Sequence, residues 1–290
     1  MTSQQKSDAL NTLNWLVEAG ADEAVLDAPV NRFATRPGAR QSDGTLPFPN
    51  ENARQAIARE SARASAGREQ PSAAAPASLD AEADNIGHAM EIAKRCNSLP
   101  ELKAALESFE GSQLKKNATN TVFADGNPES RILFVGEAPG RDEDRMGLPF
   151  VGRAGKLLGQ MMSAIGLDRT SAYIINVLPW RPPENRSPEA TEVAQCIPFL
   201  RRHIELAAPE ILILLGAVSV RHVLGLAEGI MKYRGRWMEY RVGVKMIPVM
   251  PTLHPAYLLR QPAHKKLAWR DLQAVADRIE TLGLVKVAGR

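Results

Sequence analysis

Apolar positions along the chain fall into two kinds of pattern. In residues 131–138, 172–180, 210–217 and 244–255 they run almost unbroken, as RILFVGEA, AYIINVLPW, EILILLGA and VKMIPVMPTLHP. Such short runs predict strands buried on both faces. Elsewhere the spacing is three and four. GRAGKLLGQMMSAIG (152–166), SPEATEVAQCIPFLRRHIELA (187–207), VSVRHVLGL (218–226) and HKKLAWRDLQAVADRIETLG (264–283) therefore predict helices, the first ending at Gly166. In the second, Ser187 reads as the cap, Pro188 as the first helical residue, and Glu189 and Glu192 as acids near the start. One or two more helices are expected in 87–111. Strands alternating with helices predict an α/β fold whose mostly parallel sheet is covered on both faces.

Before residue 86 the pattern changes. Residues 5–19 suit one amphipathic helix, with Leu10, Leu13 and Val17 on a face and Trp15 and Leu16 beside it. It could dock a protein partner or cap the core. Residues 35–84 are rich in Ala, Ser, Pro and Arg and offer little to bury, which predicts a disordered or weakly helical linker. The expected division is an N-terminal helical segment at 1–34, a linker at 35–85 and a globular domain at 86–290.

Charge sharpens this division. Residues 1–88 carry eight Lys/Arg against twelve Asp/Glu, and the remainder 28 against 21, so a basic body follows an acidic leader. A basic body suits a polyanionic partner or is simply a solvated surface. No apolar run approaches the ~20 residues of a membrane helix, and the N-terminus lacks the apolar core of a secretion signal. A cytoplasmic monomer is expected. The two cysteines, Cys96 and Cys196, form no closely spaced pair, so neither a metal site nor a disulfide framework is expected.

Ligands of parallel sheets bind beyond the carboxyl ends of the strands, and there the sequence places Glu137, Asn176, Gly216 and His254. The first of these loops, GEAPGRDEDRMGLPFVGRAGKLL (136–158), has glycines at 136, 140 and 147 but neither common phosphate-binding spacing. Its acids Glu137, Asp142, Glu143 and Asp144 would repel phosphate. They suit a neutral polar ligand, a sugar developing positive charge, or merely a wet surface. Phe150 offers a stacking face. The second loop, NVLPWRPPENRSP (176–188), carries an amide at Asn176 whose acceptor and donor match a nucleobase edge; Arg181, Asn185 and Arg186 follow. In the third, LHPAYLLRQPAHKK (253–266), His254 sits before a proline, and Tyr257, Leu258 and Leu259 form an apolar tip beside Arg260, His264, Lys265 and Lys266. An apolar tip flanked by cations suits a wedge that enters a duplex.

Together these three segments resemble the family 4 uracil-DNA glycosylases, over roughly residues 98–280 and in that family's order. The resemblance implies a three-layer α/β/α sandwich and a monofunctional glycosylase that releases uracil from DNA. It implies that the backbone at Gly136, Glu137, Ala138 and Gly140 lines a uracil pocket, that Phe150 stacks on the base and that Asn176 reads its edge. His254 would donate to uracil O2. Glu143 and Asn185 match further active-site positions; either could orient water, and Glu143 could exclude thymine. Leu259, with Leu258 and Arg260, would enter the duplex, while Arg181, Arg186 and Lys265 would meet its phosphates. Ala138 stands where related enzymes carry a water-positioning Asp. The family's four cluster cysteines align with Phe109, Ser112, Trp180 and Cys196, which implies a variant with no iron–sulfur cluster and no cofactor. Two other functions fit the same residues: a binder of abasic or damaged DNA with weak turnover, and a glycosylase for another base such as hypoxanthine.

Overall fold

The computed structural model describes residues 79–284, all within one unit, Ala75–Arg290. The expected helix at 5–19 and most of the expected linker lie outside the described residues. Three helices come first: α1 (Leu79–Arg95), α2 (Leu99–Ser108) and α3 (Gln113–Asn117). Residues 79–85, expected to close the linker, are helical in α1. Strands and helices then alternate: β1 (Asp125–Gly126), β2 (Ile132–Gly136), α4 (Arg141–Met146), α5 (Arg153–Ser163), β3 (Tyr173–Asn176), α6 (Ala190–Ala207), β4 (Ile211–Leu215) and α7 (Ala217–Leu224). The chain continues through α8 (Ile230–Tyr233), β5 (Met238–Val242), β6 (Lys245–Thr252), α9 (Pro255–Arg260) and α10 (Lys265–Thr281).

The six strands form one sheet in the order β1-β3-β2-β4-β6-β5. The four central strands are parallel, and β1 and β5 pair antiparallel at the edges. Every residue of β2, β3 and β4 is buried. Successive side chains alternate between two cores, as a strand's period of two requires. Leu133, Val135, Ile175, Leu212 and Leu214 pack with α1, α2 and α6 on one face. Ile132, Phe134, Ile174, Ile213 and Leu215 pack with α5 and α10 on the other. This is the expected sandwich. No helix among the described residues is long and apolar enough to cross a membrane.

Two edge strands were not expected, and two local expectations are corrected. The edge strands β1 and β5 have no apolar run: β1 is two residues long, and β5 (MEYRV) mixes charge with half-buried positions. The helix expected from Ser187 begins at Ala190, because the Glu192 carboxylate accepts from the Glu189 amide at 2.8 Å and caps it there. The acidic turn and the apolar tip are each a short helix, α4 and α9.

Candidate active site

A cleft of about 350 Å³ opens at the carboxyl edge of the parallel strands. Its lining comes from all three loops: Glu137, Gly140, Glu143 and Phe150 after β2; Asn176, Asn185 and Arg186 after β3; His254, Tyr257 and Arg260 after β6. The β2 and β3 chains stay paired past the strand ends, Val177 N–H donating to the Gly136 carbonyl at 3.1 Å and Leu178 N–H to Glu137 at 3.0 Å. That holds the first two loops side by side. A larger apolar groove of about 710 Å³, lined by Ile86, Met90, Val193 and Ile197 among others, lies between α1 and α6. It contains none of the convergent polar groups of the first cleft.

Asn176 is the last residue of β3 and only 8% exposed, and its Oδ1 is buried without a hydrogen-bond partner. Buried acceptors are normally satisfied, and this one has no partner within the protein. Gly136 makes the arrangement possible. A Cβ at that position would stand 2.4 Å from Asn176 Oδ1 and 2.5 Å from the Phe150 ring. Phe150 lies nearby with φ +55°, in the left-handed region that few non-glycine residues adopt. Its ring centroid is 5.6 Å from that of His254.

His254 is extended, as a residue before proline should be, and it caps α9. The Ala256 amide donates to His254 Nδ1 at 3.1 Å. Burial, helped by the positive charge of Arg260, pushes its pKa down to about 4. At neutral pH the ring is therefore uncharged, with Nδ1 occupied as an acceptor and the proton on Nε2. Burial raises the pKa of Glu137, while Arg260 opposes that shift.

The other acids separate by function. Glu143 Oε1 accepts from the Val151 and Gly152 amides at 3.1 and 2.9 Å, and Oε2 from Gly140 at 3.1 Å. Its carboxylate thus ties the first turn of the loop to its far end. Asp144 is buried and accepts from the Thr119 amide and hydroxyl and the Asn120 amide. Asp142 is exposed and 3.7 Å from Arg145. Repulsion of a ligand phosphate is thus not their main effect; Glu143 and Asp144 hold backbone.

In the second loop, Arg181 Nε donates to Asn185 Oδ1 at 2.8 Å, so the Asn185 side chain has its acceptor engaged and its NH₂ free. The Arg186 guanidinium is engaged by both oxygens of Glu192 at 2.8 and 2.5 Å. In the third loop, Leu259 and Arg260 are exposed, but Leu258 is 1% exposed in the core beneath α9. The expectation that Leu258 meets DNA is corrected: on a helix, adjacent residues face about 100° apart, so one turn cannot present both leucines. Lys265 is exposed at the start of α10 but does not line the cleft. Tyr257 lines it, its hydroxyl 2.7 Å from His264 Nδ1. Sequence alone made Tyr257 only part of an apolar tip; the roughly 100° step between adjacent helical residues separates it from the leucine beneath.

Phe109, Trp180 and Cys196 all lie in the core beneath α1, α2 and α6, each about 1% exposed. Trp180 Nε1 donates to Thr121 Oγ1 at 3.0 Å. Burial raises the pKa of the Cys196 thiol far above neutrality, so it stays protonated. Ser112 is buried, with its hydroxyl unpaired. Among the described residues, no group of three or more His, Cys, Asp or Glu could hold a metal ion.

Residues 123–273 match the family model of the uracil DNA glycosylase superfamily. The chain is 39% identical to a type-4 uracil-DNA glycosylase of Sulfurisphaera tokodaii, over 62% of this chain and 84% of that protein. It is 37% identical to one from Thermotoga maritima, over 67% of this chain and 94% of that protein. A third, from Archaeoglobus fulgidus, is 38% identical over 62% and 92%.

Proposed function

The chain belongs to the uracil DNA glycosylase superfamily, and from that premise we propose that it hydrolyses the bond between uracil and deoxyribose in DNA, releasing the base and leaving an abasic site. The observation that carries this is the unpaired, buried Asn176 Oδ1. Uracil N3–H is the donor it lacks, and uracil O4 can accept from the amide nitrogen of the same side chain. Cytosine presents the opposite pattern at both atoms and would leave the buried amide unsatisfied, which such sites discriminate against strongly.

The base must leave the duplex, at a cost of a few kcal/mol. Leu259, exposed at the tip of α9 and followed by Arg260, fills the space it vacates. The flipped uracil stacks on Phe150. As the glycosidic bond breaks, charge gathers on uracil O2, and the neutral His254 donates to it through Nε2–H. A donor preorganised where charge develops contributes about 3–4 kcal/mol.

Water attack requires an acceptor. A carboxylate has about four acceptor positions, and three of those on Glu143 hold backbone amides. One position remains on Oε2 for water. Asn185 also lines the cleft, with its NH₂ as a donor and, since Arg181 takes one of the two lone pairs of its oxygen, one acceptor position left. This distribution favours bond breaking that runs ahead of attack, with Glu143 steadying the sugar cation and orienting one water. Among the described residues no lysine lines the cleft, which supports a monofunctional enzyme that does not capture the sugar.

The chain works without an iron–sulfur cluster on this reading. Phe109, Ser112 and Trp180 offer no thiolate, and Cys196 is held as a thiol. These residues do not fit the group, and apolar packing in their place holds the same loops.

The test is alkali-revealed cleavage of a labelled oligonucleotide with one uracil, by wild type and by Asn176→Ala and His254→Ala. Wild type should cleave only at uracil. Each variant should be slower by about 10²–10³-fold or more. No product at stoichiometric wild type sinks the proposal and points to lesion binding or another base.

A further inference from the structure

Phe150 supplies the stacking face of the cleft, yet its backbone is in a conformation it would not choose. What holds it there lies outside the cleft. Gly155 of α5 lies against the Phe150 carbonyl, where a Cβ would come within 1.7 Å of that oxygen. Arg169, on the connection from α5 to β3, reaches the same carbonyl from its own side. Its Nη2 donates to Phe150 O at 2.5 Å, and its Nη1 lies 3.4 Å from the carbonyl of Pro149. The Asp125 carboxylate of β1 pairs with that Nη1. Neither Arg169 nor Asp125 lines the cleft.

We propose that Arg169, oriented by Asp125, is a positioning residue for base stacking. It fixes the peptide planes of Pro149 and Phe150, and through them the plane of the ring on which uracil lies. The inference rests on the uracil reading above and adds a residue that never touches the substrate. Its reasoning is geometric. The Phe150 ring is packed closely enough with Gly136, Asn176 Oδ1 and His254 that a shift of the ring moves the base relative to its polar partners. Misplacement by about 1 Å can slow a reaction about a hundredfold. A planar guanidinium can meet two consecutive carbonyls and a carboxylate at once, which an ammonium ion cannot do with the same geometry.

A purely structural role would lower stability and leave handling of the base unchanged, so the experiment reads both. Full-length wild type, Arg169→Ala and Arg169→Lys are compared in four measurements. These are single-turnover release from uracil DNA, inhibition by free uracil, affinity for DNA carrying a tetrahydrofuran abasic analogue, and thermal midpoint. Arg169→Ala should slow release by about 30- to 100-fold and weaken inhibition by free uracil. Abasic affinity should stay within about twofold, because that ligand has no base to stack. Arg169→Lys, or guanidinium ion added to Arg169→Ala, should recover part of the rate. Near-wild-type release and uracil inhibition in a folded Arg169→Ala overturn the proposal, as does slow release with uracil inhibition unchanged. If Arg169→Ala does not fold, Asp125→Asn keeps an acceptor while loosening the pair. It should show the same signature at about threefold to tenfold, and wild-type behaviour there overturns the proposal. An inactive wild type would instead remove the uracil reading itself, and that is seen before any variant is compared.

Discussion

One short stretch of chain, residues 176–180, contributes to two regions built on opposite terms. At its start Asn176 faces the cleft with a buried oxygen left unpaired. At its end Trp180 lies in the dry core with Phe109 and Cys196, its only side-chain polar atom bonded to Thr121. The core satisfies its tryptophan and gains from apolar contact; on the uracil reading proposed above, the cleft withholds a bond that the ligand supplies. The difference teaches where free energy is being kept for binding and where it has been used for folding. Ser112, buried in the dry region with its hydroxyl unpaired, is the exception on that side, and the structure offers no physical account of it.

The comparison breaks most visibly at Trp180. Trp180→Ala should cost about 3–5 kcal/mol of stability, read by denaturant unfolding. In protein that remains folded, uracil release should fall by less than about tenfold, since the lost contacts are not to the ligand. A variant of near-wild-type stability would show that this core is not close-packed.

The two neighbouring leucines give a smaller and more pointed contrast. Leu258→Ala should lose about 2–5 kcal/mol of stability. Leu259→Ala should change stability by less than about 0.5 kcal/mol while slowing release from duplex DNA more than from single strands. Equal behaviour of the two variants would refute the assignment of one to core and the other to wedge.

The last contrast is in pH. His254 and His203 have folded pKa values lowered to about 4 and about 3 by burial, against an ordinary 6.5. Between those values the unfolded chain binds more protons than the folded one. The contribution of the two histidines to stability is therefore full above about pH 6.5 and is lost as pH falls toward 4 and then 3. Uracil release should show no inflection near pH 6.5, and NMR should find both rings neutral at pH 6. Either of these two rings titrating near 6.5 in the folded protein would contradict the burial argument.

Much of this was legible in the residues. Unbroken apolar runs marked β2, β3, β4 and β6, and the polar residues at their ends marked the cleft. What stayed hidden was decided by contacts between distant segments. Edge strands β1 and β5 exist because a neighbour pairs with them, and their own sequences are too short or too mixed to say so. The start of α6 was displaced from Ser187 by one carboxylate reaching back to Glu189. Glu143 was legible as a candidate for catalysis but not as the holder of three amides. Leu258 and Leu259 look alike until a helical turn separates them. Arg169 carried no signal at all, because its partners are two backbone carbonyls, which every residue has, and a carboxylate 44 positions away in the chain.

The order of strands in the sheet also has a consequence in time. Cleft residues come from positions as far apart as Glu137 and His254, delivered by parallel strands that cannot be joined by a simple hairpin. A chain emerging from the ribosome has Phe150 and Asn176 long before the segment carrying His254 exists. Such distant pairings are also the slow ones to form. The cleft is therefore completed late in the life of the nascent molecule, after most of its core has somewhere to go.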